Sequence, residues 1–307
     1  MNFAVCIPTL NAGPLAAELA TAVEAQTVSP SRVLVLDSSS DDGTAEAFRG
    51  RGAEVLTIRR EDFDHGGTRR AAVDALGDSA EVVLFLTQDA VPADDTAFAH
   101  LLAAFRDETV AAAYGRQLPR SGASVAEAHA RLFNYPAVSR VKALADAGEL
   151  GIKTPFLSNS FSAYRVAALR GIGGFPSRTL FGEDMETAGK LLVEGHRIAY
   201  VAEACVRHSH SYTWREDFRR YFDIGVFHAR NPWLRERFGG AGSEGLRYVR
   251  SELAYAASQE PSAIPSLLVR NALKFAGMQL GRHEASLPIG LKRRLTMNRG
   301  YWSREGK

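Results

Sequence analysis

Continuous apolar runs alternate with amphipathic segments through residues 1–118, and each run is short enough to be one strand. The runs predicted as strands are FAVCIPTL, RVLVLDSSS, EVLTIRR, EVVLFLTQDA and VAAAYGRQL, and the predicted helices are PLAAELATAVEAQ, GTAEAFRGRG, TRRAAVDALG and DDTAFAHLLAAFRD. Strands that are apolar throughout are typical of a parallel sheet covered by helices on both faces. The first half therefore predicts an α/β fold with a mostly parallel central sheet.

The second half of the chain is less regular and ends in helices. It predicts a helix in SVAEAHARLFNYPAVSR that stops at Pro136, a loop and strand in GIKTPFLSNSFSAYR, and a helix and strand in TLFGEDMETAGKLLVEGHRIAYV, with the strand extending to ACVRHSHSY. From about residue 214 the pattern is mostly helical. We divide the chain into two halves of one domain, 1–115 and 116–230, and a C-terminal helical extension, 231–307.

Composition and charge narrow the class of protein. Of 307 residues, 46% are hydrophobic and 23% are charged, as in ordinary globular proteins. The net charge of +2 argues against a dedicated nucleic-acid binder. Cys6 and Cys205 lie far apart in strand-like runs, which indicates a reducing compartment rather than a disulfide framework. Without a signal-peptide pattern or an apolar run of about 18 residues, the sequence predicts a cytoplasmic protein.

The C-terminal tail is distinctly basic. Residues 281–307 carry seven Lys or Arg against two Glu, and Tyr301 and Trp302 lie among them. Such a tail could contact anionic lipid headgroups at the inner face of a membrane. The alternative is a terminus that packs back on the protein.

Polar residues gather where predicted strands end, which is where ligands bind in open α/β sheets. Asp37 follows the second strand and could accept hydrogen bonds from a nucleobase, while Ser39 in the same polar run could face a ribose. Asp41 or Asp42 could cap the next helix, and both functions can hold at once. Asp89 ends another strand, where a carboxylate can hold a hard cation that carries a diphosphate.

The stretch EDFDHGGTRRAA places His65, Gly66 and Gly67 before a helix that carries Arg69. Helix N-termini attract anions, and glycines let backbone amides approach a phosphate closely. An arginine offers a planar fork that binds phosphate oxygens in pairs. The alternative is a surface turn with solvated arginines.

Two further pairs of residues have alternative interpretations. Glu183 and Asp184 precede a helix, so they could cap it or supply a general base. His208 and His210 would share one face if their strand continues, so they could ligate a metal or form a solvated edge.

In this order the motifs resemble the family 2 inverting glycosyltransferases, which have a nucleotide-sugar-binding GT-A fold. The resemblance covers roughly residues 2–230 and rests on CIPTLNAG, LDSSSDDGT, FLTQDA in place of an Asp-x-Asp stretch, and GEDME. It looks closest to the bacterial rhamnosyltransferase-like branch, through FDHGGTRR, GRQLP, RLFNYP, FLSNSFSAYR, HSHSY and RRYFDIGVFHA.

The resemblance implies roles for individual residues. Asp184, with Glu183 beside it, would be the catalytic base at the acceptor, and Asp89 would bind the divalent metal, Mg²⁺ or Mn²⁺. Thr87 stands where the family has its first acid, so His208 or His210 would supply a missing ligand. The residues that would contact the donor are Pro8, Thr9, Asp37, Ser39, His65, Gly66, Gly67, Arg69, Gln88 and Asp89.

The implied reaction moves a sugar from a nucleoside-diphosphate donor, dTDP-L-rhamnose by resemblance, to a hydroxyl of a surface glycan or lipid-linked saccharide. Residues 1–115 would bind the nucleotide sugar and 116–230 the acceptor. The substituted Asp-x-Asp position also suits a non-catalytic nucleotide-sugar-binding or scaffold subunit of a glycan-assembly complex. A sugar nucleotidyltransferase is disfavoured, because IPTLNAG lacks the Gly-rich phosphate loop and basic pair of that class.

Overall fold

A computed structural model describes residues 1–240, 242 and 244–305. Its strands are β1 (Phe3–Thr9), β2 (Arg32–Asp37), β3 (Glu54–Thr57), β4 (Val82–Leu86), β5 (Val91–Pro92), β6 (Val110–Leu118), β7 (Arg140–Lys142), β8 (Phe161–Arg165) and β9 (Arg197–Arg207). Its helices are α1 (Pro14–Glu24), α2 (Thr44–Arg49), α3 (His65–Leu76), α4 (Ala97–Ala103), α5 (Val125–Asn134), α6 (Ala147–Leu150), α7 (Val166–Gly171), α8 (Glu183–Val193), α9 (Trp214–Arg230), α10 (Pro232–Phe238), α11 (Glu244–Gln259), α12 (Ile264–Arg282), α13 (Ile289–Leu295) and α14 (Arg299–Glu305).

The strands form one sheet in the order β3-β2-β1-β4-β8-β6-β9-β5, with β7 also paired to β9. Strands β1, β2, β3, β4, β6 and β9 point the same way, whereas β5, β7 and β8 run against them. The predicted mostly parallel sheet is therefore confirmed. The direction of β8 brings the loop before it to the edge where β1, β2 and β4 end.

Helices cover both faces of this sheet. Helices α1 and α4 pack on one face, where Leu19 and Phe98 are fully buried. Helices α3 and α8 pack on the other, where Ala72 and Leu191 are fully buried. The two apolar layers hold the sheet rigid, so the loops at its carboxyl edge stand on a fixed base.

The C-terminal helices pack against α9 more closely than ordinary side chains would allow. Gly277 and Gly281 of α12 lie against backbone atoms of Phe218 and Phe222 in α9. Helix α9 therefore packs with the C-terminal helices, although the predicted division places it in the α/β domain. The boundary drawn at residues 230/231 separates α9 from helices that it contacts.

The basic tail packs back on the protein, which was the alternative to a tail that contacts lipid. Trp302 is fully buried and Tyr301 nearly so, in a small apolar cluster with Leu180, Phe222 and Val226. These aromatic side chains consequently do not face a membrane. In the described part of the chain, no helix combines the length and the hydropathy needed to cross a bilayer.

Local departures from the predicted elements concern their ends. Helix α3 begins at His65, three residues before the predicted TRRAAVDALG segment, so both glycines are helical. Strand β9 ends at Arg207, before the two histidines. Strands β5 and β7 were not expected, because two or three residues are too short to show a period.

Replacing Gly281 with alanine should weaken the α9–α12 contact, because a Cβ there would stand 2.1 Å from the Phe222 carbonyl oxygen. We expect the free energy of unfolding to fall by roughly 1–3 kcal/mol, the usual cost of overpacking. Urea unfolding followed by circular dichroism measures it. Gly290→Ala is the control, since Gly290 is exposed and a Cβ there meets no atom within 4 Å. Equal stability of the two variants would contradict the packing argument.

Candidate active site

The loops that follow β1, β2 and β4 are tied together at the carboxyl edge of the sheet. Gln88 accepts from the Leu10 backbone N–H at 2.7 Å and donates to the Leu10 carbonyl oxygen at 3.1 Å. The Asn11 N–H donates to Ser40 Oγ at 2.9 Å. Gln88 thus joins the loops that follow β1 and β4, which gives its side chain a structural role. Its contact with the donor stays a prediction.

Asp37 lies at the end of β2 and is only 2% exposed. It accepts from the Thr9 hydroxyl at 2.9 Å, and from the Ser40 N–H and hydroxyl at 2.8 and 2.6 Å. Ser39 takes up a left-handed backbone conformation with φ 59° and donates to the Ile58 carbonyl oxygen. Asp37 therefore shapes this loop, and its contact with a base stays a prediction, as do those of half-buried Pro8 and of Thr9.

Asp89, His208 and His210 meet beside the end of β4 and are called the Asp–His cluster below. His208 Nε2 lies 3.2 Å and His210 Nδ1 lies 3.5 Å from the same Asp89 carboxylate oxygen. The three ligand atoms all lie within 4.8 Å of one another. The structure thus brings together the three predicted metal ligands, although their strand ends at Arg207.

The environment of His208 fits a ligand to a divalent cation. Its Nδ1 lies 2.8 Å from Gln117 Oε1, and the Gln117 amide nitrogen donates to Ser158 Oγ at 3.0 Å. Because Gln117 presents an oxygen, Nδ1 carries the proton, and Nε2 of the neutral ring is an acceptor. Nε2 faces a carboxylate oxygen of Asp89, so either a proton or a cation must lie between them. A second hydrogen-bond partner that fixes the tautomer is usual for metal-binding histidines.

Burial favours the cation over the proton. It lowers the pKa of His208, and it lowers the pKa of His210 to about 4, so both rings are neutral near pH 7. One carboxylate and two neutral imidazoles are a donor set suited to a divalent metal. The Thr87 hydroxyl, at the family's first-acid position, is buried with no hydrogen-bond partner among the described residues.

Glu183 and Asp184 begin helix α8 directly after Gly182. Gly182 has φ 77°, and a Cβ there would stand 2.7 Å from the Phe227 ring. Neither acid is the N-cap, because Gly182 holds that position. Asp184 nevertheless accepts from the Met185 N–H at 2.8 Å, so it satisfies one N–H group of the first turn, and the position of both acids at the helix N-terminus is electrostatically favourable.

The two acids differ in their charge partners. Glu183 is buried and forms an ion pair with buried Arg69 at 3.0 Å. Burial opposes its ionisation, but Arg69, with His65 and an amide N–H of Asn159, keeps the pKa of Glu183 below its usual value. Burial and the neighbouring Glu183 charge raise the pKa of Asp184 to about 7. Asp184 keeps part of its surface accessible, so a proton acceptor with a near-neutral pKa is partly exposed.

The glycines before Arg69 have a packing role. A Cβ on Gly66 would stand 1.7 Å from the Pro176 carbonyl oxygen, and one on Gly67 would stand 2.7 Å from Asp64 Oδ2. Asp64 caps α3 by accepting from the Gly67 N–H at 2.7 Å. These glycines let α3 start against the 176–179 loop. The predicted contacts of His65, Gly66, Gly67 and Arg69 with the donor stay predictions. Arg69 is 4% exposed and directed at Glu183.

Asn159 was not singled out by the sequence. Its side chain donates to Glu183 Oε1 at 3.2 Å, and its backbone N–H donates to Asp184 Oδ2 at 3.3 Å. The hydroxyls of Ser162 and Tyr164 donate to its oxygen, which fixes the orientation of the amide. The residue is 2% exposed and holds both acids in place.

The segment Ser158–Ser160 joins the two parts of the site. Ser158 accepts from Gln117, which orients His208. Asn159 binds both acids, and the Ser160 carbonyl oxygen accepts from the Thr87 N–H at 3.2 Å. Asp184 and the Asp–His cluster are therefore held relative to one another by three consecutive residues.

Comparison with known proteins gives this site a context. The model of the glycosyltransferase like family 2 matches residues 1–222. The O-antigen chain rhamnosyltransferase RfbN of Salmonella typhimurium is 46% identical over 304 residues, which is 99% of this chain and 96% of that protein. The O-antigen chain rhamnosyltransferase WbaN of Salmonella anatum is 44% identical over 303 residues, 98% of this chain and 96% of that protein.

Two solved structures share the fold at low identity. The mannosyltransferase PcManGT from Pyrobaculum calidifontis, in complex with GDP-Man and Mn²⁺, has a TM-score of 0.63 and 18% identity, over 92% of this chain and 86% of that one. S. aureus TarS 1–349, in complex with UDP-GlcNAc, has a TM-score of 0.53 and 17% identity, over 93% and 91%. These likenesses concern the fold alone, and they confirm the predicted GT-A fold.

Replacing Asn159 with aspartate should destabilise the protein in a pH-dependent way. The change puts a third carboxyl beside Glu183 and Asp184. The pKa of this introduced carboxyl is therefore higher in the folded state than in the unfolded state. The lost stability then grows as the pH rises through the folded-state pKa. We expect a loss of roughly 3 kcal/mol at pH 8, typical of an uncompensated buried charge, and a smaller loss at pH 5.5, in urea unfolding at both pH values.

Asn159→Ala is the matched control, because it removes the amide without adding charge. Its loss of stability should change much less between the two pH values than that of the aspartate variant. If the aspartate variant showed no greater pH dependence than the alanine variant, Asn159 would not face Glu183 as described.

Proposed function

We propose that this chain, which belongs to the glycosyltransferase like family 2 and is a glycosyltransferase, transfers L-rhamnose from dTDP-L-rhamnose to a hydroxyl of an O-antigen-type glycan. The observation that carries the proposal is the partly exposed Asp184 held, through residues 158–160, at a fixed place relative to the Asp–His cluster. The full-length similarity to two O-antigen chain rhamnosyltransferases supports the choice of sugar and acceptor. An intact acid pair and a family match over residues 1–222 favour an enzyme over a non-catalytic subunit.

Asp184 acts as the general base in this proposal. Its carboxylate takes the proton from the acceptor hydroxyl as that oxygen bonds to the anomeric carbon of the donor. The bond between the anomeric carbon and the β-phosphate oxygen breaks on the opposite face, and the diphosphate leaves with the electron pair. This single displacement inverts the anomeric centre, and Arg69 keeps Glu183 ionised beside the base throughout.

Asp89, His208 and His210 would hold a divalent cation, which offsets negative charge on the leaving diphosphate. The relatives of known structure include one solved with GDP-Man and Mn²⁺. Here Gln117 orients His208, and burial keeps both rings neutral, so the residues are prepared to ligate.

Replacing Asp184 with asparagine should lower turnover by about 10²-fold or more, the contribution of a positioned base, while dTDP affinity stays unchanged. The folded-state pKa of Asp184 is raised to about 7. Its ionisation therefore costs stability as the pH rises through 7, and the asparagine variant should melt at a higher temperature than the wild type at pH 8. Glycosyl transfer assays and thermal melts measure the two effects.

Glu186→Gln is the control for this variant, since Glu186 lies in the same helix but pairs with Lys190. It should leave turnover nearly unchanged. Full activity of the Asp184→Asn variant would rule out Asp184 as the base.

The nucleotide preference is tested by thermal shifts with dTDP, UDP, GDP and CMP, each with Mn²⁺, Mg²⁺ or EDTA. A ligand that binds only the folded state raises its stability by mass action. We expect the largest shift with dTDP and a further increase when Mn²⁺ is added. Asp89→Ala should remove the increase due to Mn²⁺.

Two results would count against parts of the proposal. A larger shift with UDP or GDP would replace the donor but keep the glycosyltransferase site. A Mn²⁺ increment that persists in Asp89→Ala would place the cation elsewhere.

A further inference from the structure

Helix α12 has one side packed on the protein and an apolar side that is exposed. Leu267, Gly277 and Gly281 are buried, and both glycines lie against the backbone of α9. Residues three, four or seven positions apart share a side of a helix. By this spacing the exposed side, called the apolar face of α12 below, is formed by Leu268, Val269, Ala272, Phe275 and Ala276.

The apolar face is part of a wider concentration of exposed apolar side chains. Phe275 is 65% exposed and Leu268 is 51% exposed. Of the fourteen large hydrophobic side chains that are exposed among the described residues, six lie in the forty residues 261–300. These six are Leu268, Val269, Phe275, Ile289, Leu291 and Met297. Single exposed apolar residues are ordinary, whereas a concentration of them marks a binding surface.

Exposed negative charge is missing from the same segment. Residues 261–300 contain seven Lys or Arg and a single acid, Glu284. Glu284 is buried and forms ion pairs with Arg230 of α9 and Lys292 of α13. The exposed Lys, Arg, Asp or Glu residues of this segment are therefore all basic, and they are Arg282, Arg293, Arg294 and Arg299.

The ion pairs of Glu284 also place α13 beside the end of α12. Glu284 lies two residues beyond the last residue of α12, and Lys292 is in the middle of α13. Arg293 and Arg294 follow Lys292 directly and are exposed. Positive charge therefore lies near the C-terminal end of the apolar face.

We propose that the apolar face of α12, with the basic residues of α13 beside it, docks on an anionic lipid surface. An amphipathic helix at such a surface places its apolar side among the lipid chains, and nearby Lys and Arg residues are attracted to the headgroups. A symmetric dimer through this face would place two copies of the same basic segment against each other. The charge therefore favours lipid over a second copy of the chain.

Contacts connect α12 to the active site. Arg270 of α12 donates to the Tyr212 carbonyl oxygen at 2.8 Å and forms an ion pair with Asp217 of α9. The Tyr212 ring stacks on His210, with the ring centres 5.1 Å apart. Docking would therefore hold the Asp–His cluster in a fixed position relative to the lipid surface. Its value for a lipid-linked acceptor rests on the proposed function, whereas docking itself does not.

The test is co-sedimentation of the full chain with vesicles, without donor or acceptor. Vesicles of phosphatidylethanolamine and phosphatidylglycerol should bind the wild type, vesicles of phosphatidylcholine alone should bind it much less, and added salt should weaken binding. The double variant Leu268→Ser/Phe275→Ser should bind roughly ten-fold or more weakly, because two apolar side chains no longer enter the lipid. Val138→Ser is the control, since Val138 is 73% exposed and lies outside the segment.

A second double variant tests the charge. Each basic residue near an anionic surface contributes about a five-fold change in binding, so Arg293→Gln/Arg294→Gln should weaken binding roughly ten-fold or more. Arg106→Gln/Arg237→Gln is the matched control, because it changes the net charge equally at exposed arginines outside residues 261–300. The control should bind like the wild type.

Two substitutions of Ala272 keep the comparison valid if a double variant is less stable in thermal melts. Ala272 is an exposed residue of the apolar face, and glutamate and lysine both favour helices. Ala272→Glu should weaken binding to the anionic vesicles far more than Ala272→Lys. An equal loss in the two variants would contradict an anionic surface.

Several outcomes would overturn the proposal. Equal binding of the wild type and Leu268→Ser/Phe275→Ser would exclude the apolar face, and equal binding to both kinds of vesicle would exclude the preference for anionic lipid. A dimer in sedimentation velocity without lipid, which that variant converts to a monomer, would assign the face to a second copy. A wild type that binds the vesicles but transfers no rhamnose contradicts the proposed substrate and leaves the docking surface standing.

Discussion

Two adjacent carboxylates cannot both be ionised in a buried place unless one of them has a positive partner. Arg69 is that partner for Glu183, and the packing of α3 positions it. The glycines at the start of α3 allow the helix to approach the 176–179 loop, and Asp64 caps the helix there. Glu183 therefore stays charged, whereas the pKa of Asp184 is raised to about 7.

The second constraint is the geometry of the sheet. Parallel strands end at one edge, and the antiparallel strand β8 begins at that same edge. The segment Ser158–Ser160 is therefore placed between residues that are distant along the chain, from Gln117 to Asp184. Asp184 and the Asp–His cluster therefore share one rigid support.

The hydrophobic pattern predicted the layered fold and most helices and strands. The ends of the predicted strands, together with the family resemblance, predicted the residues of the Asp–His cluster. All of these signals lie within short stretches of sequence. The sequence did not predict Asn159, which looks like any loop amide until β8 carries it to Glu183. It did not predict the ion pair of Arg69 with Glu183 for a similar reason, because a pair across 114 positions leaves no mark on the neighbouring residues. The fold class was therefore predictable, whereas the charge partners needed the tertiary structure.

The contacts of α14 bear on the order in which the protein is made. Arg304 donates to the carbonyl oxygens of Glu61 and Phe63, just ahead of α3, across a separation of more than 240 residues. During synthesis the amino-terminal half emerges first, at roughly 5–20 residues per second. The turn before α3 therefore gains its two contacts with Arg304 only after the whole sheet has been translated. The last described helix thus closes onto one of the first parts of the chain to be made.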